Sequence, residues 1–323
     1  MTVRIGQIGL GYWGKNLFRN FDELADVAWL CDSSEALRQQ FAARVPEARI
    51  TAKFDELLAD DDLDAVVIAT PVPTHYALAK QGLEAGKHVF VEKPPAMKSA
   101  EMEDLIGIAQ ERGLVLMPGH LLLYHPGVLK LKELLDAGDL GELLCVYSNR
   151  QNLGIIRRDE NALWSLGVHD LSVILQLVDE EPESVVANGN AFLTEGVEDV
   201  VFCYLRFPSG KIAHMHLSWL DPHKMRKLTV VGREKMAVFD DMELERKVTV
   251  YDKAPWEPAG TYGEWSTRTG DIFSPKVSND EPLRLECEHF LRLVSDGPGD
   301  HTEALDGLRV VRALDRLTEA LRG

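Results

Sequence analysis

The first 120 residues alternate between two hydrophobic periods. Residues 3–8 form a β-rich run ending in glycines, and apolar positions at helical spacing follow over 12–21. A second strand is predicted at 27–31, a helix at 35–43 and a weak strand at 48–51. Residues 65–69, Ala-Val-Val-Ile-Ala, are continuously apolar, as a strand covered on both faces is. The series continues with a helix over 74–85, capped by Thr74 and ended by Gly86, and a strand at 88–91. A helix at 99–112 and a strand at 114–117 complete it. Repeated βα units of this spacing predict a doubly wound parallel sheet with helices on both faces. Right-handed crossovers bring the carboxyl ends of the strands to one edge, where such sheets bind ligands.

From residue 126 the pattern changes. A helix is predicted over 126–137, then a strand over 142–152 and a helix over 166–178. Candidate strands follow at 184–192, 200–207, 211–219, 227–231, 236–240 and 247–251. Pro208-Ser209-Gly210 and Gly232-Arg233-Glu234 read as turns between them, so these strands pair as antiparallel hairpins. Residues 252–280 carry Pro, Gly and Trp without a period, which predicts a long loop of functional or partner-binding use. Helices over 282–294 and 302–321 close the chain. The fold class is α/β, with a doubly wound domain over 1–120 and a second domain over 121–323.

Composition narrows the function. The chain has 323 residues, 45% of them hydrophobic, enough for two cores. Its formal net charge of −17 argues against nucleic acid as a partner, since a nucleic-acid binder carries a basic face. Cys31, Cys145, Cys203 and Cys287 lie far apart with no CxxC pair. That spacing fits free thiols in a reducing cytoplasm rather than a disulfide framework or a zinc site. No apolar run reaches the roughly 20 residues of a membrane helix, so no membrane partner is expected.

Candidate chemistry gathers where the first-domain strands end. Gly9-Leu10-Gly11-Tyr12-Trp13-Gly14 follows a strand and opens a helix. In that setting Gly9 permits the tight turn, Gly11 admits a diphosphate against the backbone and Gly14 lets helix and sheet pack closely. The helix N-terminus adds unpaired N–H groups and partial positive charge. Asp32 ends the second strand, with Ser33 beside it. A carboxylate there accepts both ribose hydroxyls and repels a 2′-phosphate, which favours NAD over NADP. A methyltransferase can also place a glycine-rich turn and a later acid this way. The fifth strand separates the two, because it ends Val91-Glu92-Lys93-Pro94-Pro95 and fixes an ammonium at the sheet edge. A cation beside a hydroxyl favours the developing alkoxide of an alcohol oxidation. The bland reading is a lysine solvated where a strand ends, which holds for most lysines in that position.

With these residues in view, the chain resembles the Gfo/Idh/MocA oxidoreductase family. The matching segments are GLGYWG at 9–14, ATPVPTH at 69–75, GKHVFVEKP at 86–94, GH and YHP within 119–126, WSLGVHDLS at 164–172 and EPLRLECEHFL at 281–291. The resemblance implies an N-terminal Rossmann domain, a C-terminal domain with a large mostly antiparallel sheet, and NAD as cofactor. It implies a homo-oligomer, dimer or tetramer, formed through the outer face of that sheet. It also implies that Lys93 and His169 point at the reacting carbon. Thr70, Pro71, His75 and Glu92 then lie along the cofactor, and His120 lies near the nicotinamide ribose. Many members carry Asp where this chain has Ser165, and its absence shifts weight to Asp170 and Asn161. Residues 161–172 resemble a subgroup that oxidises the 3-hydroxyl of UDP-linked N-acetyl sugars to a ketone. Those members feed an aminotransferase in lipid A or surface-polysaccharide synthesis. On that resemblance Tyr124, Arg157, Arg158, Asn161, Trp164 and Asp170 are the substrate-side candidates.

Asn149, Arg150, Asn152, Arg157 and Arg158 form a basic cluster in an acidic chain. Its arginines are expected to hold the substrate diphosphate; a solvated loop or contact with the cofactor's diphosphate are the alternatives. His214 and His216 alternate on a strand and read as sheet-face residues rather than a metal pair, since no third ligand lies near. The mechanism expected has His169, with an ordinary pKa of about 6.5, take the hydroxyl proton while Lys93 stabilises the alkoxide. A dehydrogenase of a free polyol or sugar, an NAD-dependent glycosidase and a non-catalytic dinucleotide sensor are the competing readings.

Overall fold

The computed structural model describes residues 2–158, 160–256 and 265–322. The chain divides into two compact units, Met1–Leu121 with Glu281–Arg312, and Leu122–Asp280 with Ala313–Gly323. The first unit runs β1 (Arg4–Ile8), α1 (Gly14–Leu24), β2 (Asp26–Cys31), α2 (Glu35–Ala42), β3 (Arg49–Thr51) and α3 (Phe54–Leu58). It continues β4 (Ala65–Ile68), α4 (His75–Glu84), β5 (His88–Glu92), α5 (Ser99–Arg112) and β6 (Leu116–Gly119). The six strands pair in the order β3-β2-β1-β4-β5-β6, all parallel. The order reverses between β1 and β4, so the binding crevice of such a sheet opens outside the carboxyl ends of those two strands. Ala65, Val66, Val67 and Ile68 are fully buried, as a strand covered on both faces must be.

Three local differences from the sequence pattern have physical causes. α1 begins at Gly14, not at residue 12, because Gly11, Tyr12 and Trp13 are spent in the glycine turn. Thr74 does not cap α4: its hydroxyl donates to the Pro71 carbonyl at 2.7 Å, and the helix is entered through a 3₁₀ turn over Val72–Thr74. β6 runs through Pro118 and Gly119, which resemble turn signals. It is the edge strand, where a missing ladder N–H is tolerated.

The second unit contains α6 (Pro126–Asp136), β7 (Leu143–Gln151), α7 (Val168–Val178), β8 (Ser184–Asn190), β9 (Val200–Arg206), β10 (Ile212–Ser218), β11 (Met225–Gly232), β12 (Met236–Asp240), β13 (Val248–Trp256) and β14 (Ser266–Phe273). Its eight strands are ordered β14-β13-β12-β11-β7-β10-β9-β8. Every pair is antiparallel except β7 with β10. Val146, Ala213, Leu205 and Val230 are buried on the face that carries α6 and α7. Tyr147, Tyr204 and His214 share the opposite face through register. β14 corrects the loop expected over 252–280: all eight of its residues are exposed, so no buried face imprints a period of two on the sequence. Residues 257–264 of that segment lie outside the described residues.

The chain then returns. α8 (Pro282–Asp296) and the first part of α9 (Thr302–Arg322) belong to the first unit, and only the end of α9 belongs to the second. A single division at residue 120 does not contain this return. Its cause is the buried stripe of α8, Leu283, Glu286, Cys287 and Phe290. Phe290 meets Phe90 of β5 at 5.6 Å and Phe21 of α1 at 6.2 Å, both edge to face.

One buried ion pair locks β7 to the first turn of α7. Arg150 Nε and Nη2 donate to Asp170 Oδ2 and Oδ1, both at 2.9 Å, and both residues are buried. Removing one member of such a pair leaves an uncompensated buried charge. Asp170→Asn is expected to lower the unfolding free energy by about 3–5 kcal/mol in urea titrations, and Arg150→Met with Asp170→Leu to recover much of that loss. A single-variant cost under about 1 kcal/mol would contradict the pairing.

Candidate functional site

The carboxyl edge of the first unit is built around glycines that no other residue can replace. Gly9 has φ of +93°, and a Cβ on it would lie 2.4 Å from the Ala69 carbonyl oxygen after β4. A Cβ on Gly14 would lie 2.1 Å from the Gly9 carbonyl oxygen. Both are held by Gln7, whose buried amide donates to the Gly9 and Gly14 carbonyls at 3.0 and 2.7 Å. Gly11 differs: nothing lies within 4 Å of its Cβ position, so it faces open space. That is the geometry of a backbone cradle for a diphosphate at a helix N-terminus. The first turn of α1 carries no acid to oppose an anion.

Asp32 ties this turn to the end of β2. Its carboxylate accepts the Leu10 N–H at 2.7 Å and the Ser34 N–H at 2.8 Å. Arg38 donates to the Asp32 and Ser33 carbonyls at 2.8 and 2.9 Å. Each carboxylate oxygen keeps a second lone pair for a ribose hydroxyl. Tyr12 is exposed, with the Lys15 ammonium 5.4 Å from its ring centroid.

The Lys93 segment is anchored from three sides. Trp13 Nε1–H donates to Glu92 Oε1, and the Lys93 backbone N–H donates to Glu92 Oε2 at 3.2 Å. His75 is buried, with Nδ1 2.8 Å from the Pro94 carbonyl and Nε2 2.7 Å from the Thr70 carbonyl. It therefore joins the Thr70–Pro71 turn to the residues after Lys93, rather than presenting its ring to a ligand. Thr70 and Thr74 hydroxyls meet at 2.7 Å, and Pro71 is exposed. Burial pushes Glu92 up to about 7, against the Trp13 N–H and the Lys93 cation. Lys93 itself is partly buried.

His120 follows β6 and is 3% exposed. Neither of its ring nitrogens has a hydrogen-bond partner among the described residues. Burial, then the nearby Lys93 cation, pulls its pKa down to about 4, so it is a neutral imidazole at physiological pH. A buried polar ring without a partner is what a bound hydroxylated ligand would satisfy. The open cradle at Gly11, the carboxylate at Asp32 and the orphaned ring of His120 fit an NAD molecule.

In the second unit, a π turn over Leu163–Gly167 runs into α7 and places His169, partly buried, in its first turn. π turns of this kind are frequent at functional sites. The neighbouring polar groups are committed. Asn161 donates to Glu198 at 2.6 Å and accepts the Trp164 N–H at 3.2 Å, while the Trp164 indole N–H donates to Thr318 at 2.9 Å. Asp170 corrects an expectation: both of its oxygens lie on Arg150, so its carboxylate braces the histidine turn instead of replacing the acid missing at Ser165. Arg150 is thereby withdrawn from the expected basic cluster. Arg157 and Arg158 are exposed, and Arg157 pairs with Glu160 at 2.8 Å. Tyr124 ends the 3₁₀ turn Leu121–Tyr124 and is partly buried. His214 and His216 lie on the outer sheet face, against Tyr147 and Phe202 respectively. Among the described residues no cluster of three or more metal-ligating side chains occurs, and no helix is long and apolar enough to cross a membrane.

Residues 3–120 match the oxidoreductase family with an NAD-binding Rossmann fold, and 128–238 match the Gfo/Idh/MocA C-terminal domain. The chain belongs to the Gfo/Idh/MocA family. It is an oxidoreductase of that family, with NAD as its cofactor. The chain is 27% identical to the UDP-N-acetylglucosamine 3-dehydrogenase of Acidithiobacillus ferrooxidans, over 96% of this chain and 95% of that protein. A crystal structure of that enzyme superposes with a TM-score of 0.85, covering 99% of this chain and 98% of the other. An inositol 2-dehydrogenase of Acidothermus cellulolyticus is 25% identical, over 99% of this chain and 93% of that one. The GenD2 protein from gentamicin A biosynthesis, solved in complex with NAD, is 25% identical with a TM-score of 0.80, covering 99% of this chain and 94% of the other.

Two outcomes follow for this Gfo/Idh/MocA site. Gly14→Ala is expected to cost about 1–3 kcal/mol of stability by overpacking. Gly11→Ala stays within about 0.5 kcal/mol and instead weakens NAD binding at least about tenfold in calorimetric titration. Equal stability losses in the two variants would contradict the geometry. His120 has a folded pKa near 4 against an ordinary 6.5, so its contribution to stability is complete above pH 6.5 and is lost as pH falls toward 4. His120→Phe is therefore expected to flatten the melting temperature across that window, where the parent protein loses roughly 3 kcal/mol.

Proposed function

We propose that this enzyme oxidises the 3-hydroxyl of a UDP-linked N-acetyl sugar, UDP-N-acetylglucosamine in the first instance, to the 3-keto sugar. The observation that carries the substrate class is the likeness to UDP-N-acetylglucosamine 3-dehydrogenase over 96% of this chain. A 3-keto sugar nucleotide is the substrate type of an aminotransferase, which places the reaction before transamination in lipid A or surface-polysaccharide synthesis. The four buried free thiols agree with a cytoplasmic setting.

NAD, when bound, supplies the hydride acceptor. His169 accepts the hydroxyl proton, and Lys93 stabilises the alkoxide as negative charge develops on oxygen. Glu92 holds the Lys93 backbone N–H, and His75 holds the neighbouring Pro94 carbonyl. With Asp170, Asn161 and Trp164 committed to Arg150, Glu198 and Thr318, the groups proposed for the substrate are Tyr124 and the exposed Arg157 and Arg158, the arginines taking the diphosphate. The outer face of the eight-stranded sheet, with Tyr147, Phe202 and Tyr204 exposed, is the proposed contact of a homo-oligomer. Light scattering on Tyr147→Glu with Phe202→Glu tests it: a species of lower mass is expected, and an unchanged mass would place the contact elsewhere.

A second reading, oxidation of a free polyol, is supported by the inositol 2-dehydrogenase likeness at 25% identity. NADH formation should be followed with UDP-N-acetylglucosamine, UDP-N-acetylgalactosamine, UDP-glucose, myo-inositol and glucose. Parallel reactions should carry an aminotransferase and glutamate to draw off the ketone. Turnover only with the UDP-N-acetylhexosamines is expected; turnover only with a polyol would transfer the assignment to the second reading. Lys93→Met and His169→Ala should each lower kcat at least about a hundredfold while NAD still binds. Arg157→Ala with Arg158→Ala should raise KM for the sugar nucleotide about tenfold or more.

A further inference from the structure

α8 carries a carboxyl group that the reaction as described does not use. Glu286 is fully buried, and neither of its oxygens has a hydrogen-bond partner among the described residues. It lies in the apolar stripe of the helix, one turn before Phe290. Phe290 packs on Phe90 of β5 at 5.6 Å. Phe90 and Glu92 point to the same side of that strand, since both approach Gly119 on β6: a Cβ there would lie 3.1 Å from the Phe90 ring and 3.3 Å from the Glu92 carboxyl carbon. With Phe290 on Phe90, the turn of α8 that carries Glu286 lies beside Glu92. Two carboxyl groups are thus buried together under the segment that presents Lys93.

Two such groups cannot both ionise in an apolar setting, and the one without donors is the one that stays neutral. Glu92 has N–H donors from Trp13 and Lys93, and Glu286 has none. We propose that Glu286 holds a proton in the native protein and shares a single negative charge with Glu92 beneath Lys93, which makes it a positioning residue for the lysine. Burial, then the charge on Glu92, holds the Glu286 carboxyl well above the usual range, in agreement with the geometry. The other ionisable groups facing the pair are the Lys93 ammonium on the same loop and the buried Cys287 thiol beside Glu286; the neutral His120 after β6 lies near Lys93. Glu281, at the N-cap of α8, and Glu288, on the helix, each have an arginine partner, Arg19 and Arg284 respectively.

The arrangement gives the edge a reserve charge. When Glu92 is ionised, its repulsion keeps the proton on Glu286 and Lys93 faces one carboxylate. When Glu92 is made permanently neutral, that repulsion disappears while the burial remains, so Glu286 ionises toward Lys93 more readily than in the parent. The functional part of this inference rests on the assignment of Lys93 to alkoxide stabilisation; the protonation state does not.

Infrared spectra of the purified protein with NAD, in mildly alkaline buffer, test the protonation directly. A carboxylic-acid C=O stretch is expected in the parent protein and lost in Glu286→Gln. Should that variant fail to fold, parent protein labelled with carboxyl-¹³C glutamate must show the band isotopically shifted. Absence of a shifted acid band, or its persistence at full strength in Glu286→Gln, overturns the proposal. Turnover with whichever substrate the NADH assay identifies then reads the shared charge. Glu92→Gln is expected to lower kcat about tenfold, and Glu286→Gln to lower it a further tenfold or so in that background but by less than about threefold in the parent. Equal effects in both backgrounds would show a merely structural glutamate and overturn the positioning role. Loss of the infrared band in Glu286→Gln together with no turnover on any sugar nucleotide would count against the substrate reading alone.

Discussion

The carboxyl edge of the first unit depends on one buried carboxylate. Removing a carboxylate from water costs several kcal/mol unless hydrogen bonds replace its hydration. Glu92 is 9% exposed, and its two oxygens are served by the indole N–H of Trp13 and the backbone N–H of Lys93. Those donors come from the glycine turn after β1 and from the loop after β5. Neither loop can shift without leaving charge uncompensated, so the diphosphate cradle and the lysine are held in one geometry. His75 adds a second tie, between the turn after β4 and Pro94. Gly119 is part of the same constraint, because any side chain there would meet Phe90 and Glu92.

The second unit solves a similar problem differently. His169 stands in the first turn of α7, and nearly every polar group around it in sequence is bound within the protein. Asp170 is held by Arg150, Asn161 by Glu198 and Trp164 by Thr318. This bracing fixes a π turn that no local preference would hold by itself. A buried ion pair is a poor source of net stability, but it punishes misplacement heavily, which suits the aiming role proposed for His169. Arg157 and Arg158, the arginines proposed for the substrate, stand outside this brace and are exposed.

The parallel sheet was legible because β4 and β5 are continuous apolar runs and the glycines occupy fixed places between strand and helix. That the glycine turn and Asp32 come together was legible because both fall where a strand of the parallel sheet ends, and the Leu10 N–H joins them. β14 was not, since a strand with both faces exposed leaves no alternation. The return of α8 was not, because a helical period shows that one face is buried but not against what. Asp170 was misread for a related reason: an acid in the first turn of a helix looks the same in sequence whether it faces a ligand or Arg150. Glu286 did leave a signal. It stands in the stripe Leu283, Glu286, Cys287, Phe290, and an acid at the buried phase of an amphipathic helix contradicts its own pattern.

That contradiction bears on how an acidic enzyme holds anions. The formal net charge is −17, and both NAD and the proposed sugar nucleotide carry a diphosphate. At physiological ionic strength the general repulsion is screened beyond about 8 Å, so binding is decided by charges within one or two side-chain lengths of the ligand. There the sequence count misleads. It assigns a full negative charge to Glu92 and to Glu286, yet burial raises both carboxyls and pushes Glu92 to about 7. It is also blind to the partial positive charge at the N-terminus of α1, whose first turn has no acid. The edge that receives the dinucleotide is thus less negative than its composition, and the alkoxide role proposed for Lys93 does not set it against two full carboxylate charges.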